Sequence, residues 1–224
     1  MRNSSFRLLF VGFVVAVVSA TTLVANHSWG TYHWARQANP FTLKLGNKLT
    51  TADWKGHLAT TSQDWNSGNS PLNTAIVAGS SGKRCAMVAG TTQVCNGTYG
   101  NNGWLGLASI NISGSHITQG TAKLNDTYFN TATYNNPNER LHVMCQEVAH
   151  TFGLGHTSED GSSQNTCMDY FSNTGANAGS TLSTKPNAHD FEQLSTIYAH
   201  LDTTTTLASS ASPAGSASDV SDDP

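Results

Sequence analysis

The chain has 224 residues, 38% of them hydrophobic and 11% charged, a balance that suits one compact domain with short appendages. Lys and Arg number 11 against 14 Asp and Glu, a formal charge of -3. That excludes a basic surface able to hold a phosphate backbone, so nucleic acid is not an expected partner.

Residues 1–20 read as an export signal. Arg2 and Arg7 supply the positive start, residues 8–18 the apolar stretch, and Val18-Ser19-Ala20 a small-residue cleavage site, with Ala25 the second choice. The apolar run is shorter than the roughly 20 residues needed to span a bilayer, and no second such run follows. A secreted protein, extracellular or in the cell envelope, is expected, without stable membrane insertion. Residues 21–40 form a polar, aromatic-rich lead-in.

Residues 41–45, Phe-Thr-Leu-Lys-Leu, alternate as a strand with one buried face. Thr51 or Asp53 can cap a helix over about residues 54–65, with Trp54, Leu58 and Trp65 on its apolar side. Residues 72–78, 86–94, 103–110 and 117–124 are short β-like runs separated by Gly, Asn and Ser clusters. Together these predict a mixed sheet of about five strands. Pro137 marks the start of a helix over residues 138–152, which Gly153 ends. Residues 157–184 read as loop, and Pro186 precedes a last helix over 188–201 with Phe191, Leu194, Ile197, Tyr198 and Leu201 inward. The expected folded domain is 41–202; residues 203–224, rich in Thr, Ser, Ala and Asp, read as a disordered tail.

Four cysteines in an exported chain favour disulfides. Cys85 and Cys95 bracket Gly90, which suits a hairpin, so a local bridge is expected there, leaving Cys145 with Cys167. Three connectivities are open to four cysteines, and the sequence does not exclude the other two.

The segment 145–156, Cys-Gln-Glu-Val-Ala-His-Thr-Phe-Gly-Leu-Gly-His, has polar residues at metal-ligand spacing. Gln146 and His150 are four apart, on one helical face, and able to reach one ion; Glu147 lies beside them. Gly153 can take the left-handed conformation that ends a helix, returning His156 to the same ion. This resembles the metzincin pattern His-Glu-x-x-His-x-x-Gly-x-x-His, with Gln146 in the first position, and Cys167-Met168-Asp169-Tyr170 resembles the methionine turn that follows it.

The resemblance implies an α+β, zincin-like catalytic domain in which a mixed sheet is joined by an active-site helix, a methionine turn and a C-terminal helix. It implies a zinc cofactor, His150 and His156 as ligands, and Glu147 as general base. Tyr170 stands where astacins and serralysins have a tyrosine able to reach the metal or the developing oxyanion. The strand around residues 117–124 would, by the same analogy, pair as an edge with an extended protein or peptide substrate. A secreted, monomeric zinc endopeptidase is the expected function.

Gln146 offers an amide oxygen, a weaker zinc donor than imidazole. Three readings stay open: the amide ligates; Asp160 or Tyr170 completes the shell; or the chain is a non-catalytic, zincin-like secreted binding protein. A cell-envelope structural protein is a third functional class. His142 lies on the same helical stripe, but eight residues at 1.5 Å rise put it about 12 Å from His150, too far to share an ion. His27, His33, His57, His116, His189 and His200 show no ligand spacing with the motif and read as structural or exposed. Sequons stand at Asn26, Asn96, Asn111 and Asn125, and no acidic loop of calcium-binding type is present.

Overall fold

The computed structural model describes residues 27–82 and 85–209. The export signal, the Asn26 sequon and residues 210–224 lie outside the described residues. Strands β1 (His33–Trp34), β2 (Phe41–Lys48), β3 (Leu72–Ala78), β4 (Thr91–Gly97), β5 (Gly106–Ser113) and β6 (His116–Asn125) form one sheet. Its order is β1-β6-β4-β2-β3, with β5 also paired to β6. Every pairing is parallel except β5 with β6, so the architecture is α/β with a mostly parallel sheet of six strands rather than five. Parallel strands need crossovers, and α1 (Ala52–Asn66) supplies the one between β2 and β3.

The α1 N-cap is Thr51, whose side chain accepts from the Trp54 amide. Trp54, Leu58 and Trp65 are buried along one side of this helix, as its spacing predicts. A short α2 (Asp126–Phe129) follows β6, and Asp126 Oδ1 accepts from Trp54 Nε1 at 2.8 Å. Helix α3 (Pro137–His150) packs on α1, β5 and β6; α4 (Ala188–Ile197) carries a capping box between Asn187 and Asp190. Leu43, Leu45, Val148, Phe152 and Met168 are fully buried in the core that joins the sheet to α1 and α3.

Several expectations need correction. The strand at residues 117–124 is not an edge: β6 is flanked by β5 on one side and by β4 and β1 on the other. The edge is β5. The expected strand at 86–94 begins only at Thr91, because residues 86–88 are irregular and 89–90 form a turn, not a hairpin arm. The Cys85–Cys95 bridge nevertheless forms, and Gly90 has φ 73°. Helix α4 ends at Ile197, and Leu201 is exposed rather than inward. Residues 203–209 of the expected tail are tied down: Thr206 N donates to Ala35 O at 3.0 Å and Ala208 N to Gly90 O at 3.0 Å.

Candidate metal centre

Helix α3 is set by its ends. Asn136 caps it by accepting from the Asn138 amide, Pro137 occupies the first turn, and Thr151 closes it. The next residues turn sharply at Gly153, whose φ is 98°, and a Cβ there would sit on the Tyr32 carbonyl. Only glycine meets both demands. Trp34 Nε1 donates to Thr151 O at 2.8 Å, which ties the helix end to β1.

The turn brings His156 back to His150. Their Nε2 atoms are 2.9 Å apart, and the two rings meet edge to face with centroids 4.6 Å apart. Each ring is held through its other nitrogen. His150 Nδ1 lies 2.8 Å from Leu154 O, a pure acceptor, so Nδ1 carries the proton and Nε2 the lone pair. His156 Nδ1 lies 3.1 Å from Glu159 Oε1 and is fixed the same way. Two lone pairs facing each other at this distance require a shared proton or a cation. Burial, opposed by the Leu154 carbonyl and reinforced by His156, lowers the pKa of His150 to about 4, which keeps it neutral and available as a ligand.

Gln146 lies one turn before His150 and is buried. Its Nε2 donates to Asp169 O at 2.8 Å, which orients the amide and leaves Oε1 as the atom without a hydrogen bond among the described residues. That donor set, two imidazole lone pairs and one amide oxygen, fits zinc in number and type.

The Cys145–Cys167 bridge fastens α3 to the segment carrying Met168, with Cα atoms 5.9 Å apart. A short ladder then aligns that segment with the chain after His156: Thr157 N donates to Met168 O at 2.8 Å and Tyr170 N to Ser158 O at 3.1 Å. The Tyr170 ring consequently lies 4.3 Å from that of His156, half-exposed at the rim. Met168 is fully buried in the core. Asp169 organises the turn, accepting from Gln164 N, Phe171 N and Ser183 Oγ.

These groups line a cleft of about 820 Å³ between α3 and β5, whose walls include Trp29, Trp104, Leu107 and Phe171. Glu147 is buried on its floor. Burial lifts its carboxyl to about 8, with the Ala108 backbone amide partly offsetting the rise. Gly106 of β5 passes directly over this side chain.

The structure thus gathers Gln146, Glu147, His150, His156 and Tyr170 into one cleft. It does not bring Asp160 there. That carboxylate is exposed and occupied by the Ser158 and Ser162 hydroxyls, at 2.7 and 2.6 Å. His142 lines the same cleft, buried and bonded to Asp169 O and Asn173 Oδ1, a packing histidine. Two residues escaped the sequence reading. Glu159, three positions after His156, was discoverable from spacing; Trp29, edge-on to His150 at 5.9 Å, carries no local signal.

No protein-family model and no curated protein matches the chain. Among solved structures, myroilysin is similar at 13% identity and TM-score 0.45, covering 77% of this chain and 98% of its own. A crystal structure of myroilysin gives 12% and 0.44, over 82% and 98%. High choriolytic enzyme 1, a hatching enzyme zinc-protease from Oryzias latipes (medaka fish), gives 10% and 0.43, over 75% and 94%. The functional reading therefore stands on the side chains of the cleft.

Proposed function

We propose that this protein is a secreted, monomeric zinc-dependent endopeptidase of metzincin type, acting on protein or peptide substrates. One observation carries the reading: His150 and His156 point Nε2 lone pairs at a common place, with each Nδ1 engaged behind it. His150, His156 and the Gln146 amide oxygen would hold the ion. Zinc, when bound, supplies Lewis acidity toward a peptide carbonyl and makes hydroxide available near neutral pH.

The remaining work falls to this chain's own groups. Glu147 takes a proton from the attacking water and delivers it to the leaving amine. A cation beside it opposes the rise in its pKa that burial causes, so metal occupancy and base function go together. Tyr170, at the rim, donates its hydroxyl to the carbonyl oxygen as negative charge develops. The free edge of β5, not β6, pairs with an extended substrate, and residues 104–108 of that segment line the cleft.

Digestion of casein or gelatin by the mature protein, with and without chelator, tests this. Glu147→Ala should reduce the rate about 10²–10⁴-fold while zinc stays bound. Bound zinc with no turnover in the unsubstituted protein would instead assign a binding protein that keeps the cleft, with Gln146 as the reason.

A further inference from the structure

Outside the cleft, three elements distant in sequence converge on one carboxylate oxygen. His33 is in β1, His116 opens β6, and His200 and Asp202 follow α4. His33 Nε2 lies 3.1 Å from His200 Nε2 and 3.5 Å from Asp202 Oδ1. His200 Nε2 lies 3.6 Å from the same Oδ1, and His116 Nε2 3.2 Å from it.

We propose that this cluster is a second zinc site, with His33 Nε2, His200 Nε2 and Asp202 Oδ1 as ligands and His116 beside the fourth place. Tetrahedral ligands at 2.0–2.1 Å from an ion stand about 3.3 Å from one another. The three separations within the ligand set, 3.1, 3.5 and 3.6 Å, bracket that value.

The groups behind the ligands favour the same chemistry. His33 Nδ1 lies 2.9 Å from Thr31 O, so its proton is there and its Nε2 lone pair faces the cluster. Asp202 Oδ2 is occupied by Arg36, which donates from NH1 at 2.9 Å and from its backbone amide at 3.2 Å, so Oδ1 is the oxygen left to ligate. Arg36 also donates to the carbonyls of Tyr198 and His200, holding the ligand-bearing turn in shape. His33 is buried and Asp202 partly buried, whereas His200 is half-exposed, which leaves a path for the ion.

A second group of this kind, His27, His189 and Asp190, lacks these features. His27 Nε2 meets Asp190 Oδ1, but no acceptor stands behind its Nδ1 among the described residues, so nothing fixes that ring as Thr31 O fixes His33. An ion at the His33 cluster would join β1, β6 and the chain after α4, and so fasten the segment that continues to residue 209 along the sheet.

The test counts zinc in folded protein after dialysis against a zinc buffer, in a His150→Ala/His156→Ala background that removes the cleft ligands. About one zinc ion per chain should remain, and the further change His200→Ala, at a half-exposed position, should remove it; His189→Ala should not. Cobalt substituted into the same background should give the intense visible bands of a tetrahedral site, abolished by His200→Ala. Zinc absent from the His150→Ala/His156→Ala protein, or retained after His200→Ala, overturns the proposal. If only the cleft reading fails, the unsubstituted protein holds about one ion that responds to His200→Ala and not to the cleft substitutions.

Discussion

Gly106 and Glu147 touch across the cleft so closely that a Cβ at Gly106 would lie 2.6 Å from Glu147 Oε1 and 2.5 Å from Val143 Cγ1. The edge strand can approach α3 this closely only because residue 106 has no side chain. Gly106→Ala should push β5 or the carboxylate aside by a few tenths of an ångström or more. We expect proteolysis to fall by about 10²-fold, since small misplacements of a reacting group cost that much, and stability to fall by about 1–3 kcal/mol from overpacking. Casein digestion and urea unfolding of the same variant check both.

Gln146→His separates a ligating amide from a bystander. The imidazole is the stronger donor, so zinc affinity should rise by about 10–100-fold and activity should hold or increase. Competition with a chromophoric chelator measures the affinity. No change would mean that Gln146 serves only the Asp169 carbonyl.

The Cys145–Cys167 bridge joins positions 22 apart in sequence, tying α3 to the Met168 segment. Its loss in Cys145→Ala/Cys167→Ala should cost about 3 kcal/mol by loop-closure entropy, read as a lower denaturation midpoint. Digestion should weaken as well, because Tyr170 loses its fixed place beside His156.

Asp160 gives a pH signature of the loop between His156 and Met168. Hydrogen bonds from the Ser162 and Ser158 side chains hold its pKa down at about 2. A depressed folded-state value means that this loop's order is fully present above the unfolded value, near 3.9, and is lost as pH falls toward 2. Carboxyl NMR titration should show the low value, and Ser162→Ala should raise it toward the ordinary range.

Much of this was legible in the chain. Local signals placed α1 at its Thr51 cap, α3 at Pro137 and the helix-ending bend at Gly153, and a spacing of four and six residues placed Gln146, His150 and His156 together. Pairing order was not legible. The family analogy makes β6 an edge, and nothing in its own residues reveals that β5 turns back antiparallel on it. β1 has only two residues, too few for any alternation to show. Residues 203–209 read as tail because what holds them is largely backbone hydrogen bonding to Ala35 and Gly90, which composition cannot report. His33 and His200 are separated by 167 positions, so no spacing rule finds them.

The proposed centre holds a cation between His150 and His156. An anomalous-difference map at the zinc edge, from crystals grown with zinc, measures it directly. We expect a peak about 2.0–2.1 Å from both Nε2 atoms, with the Gln146 amide oxygen in the same shell. Crystals that show the two rings bonded to each other and no anomalous density between them would contradict the account.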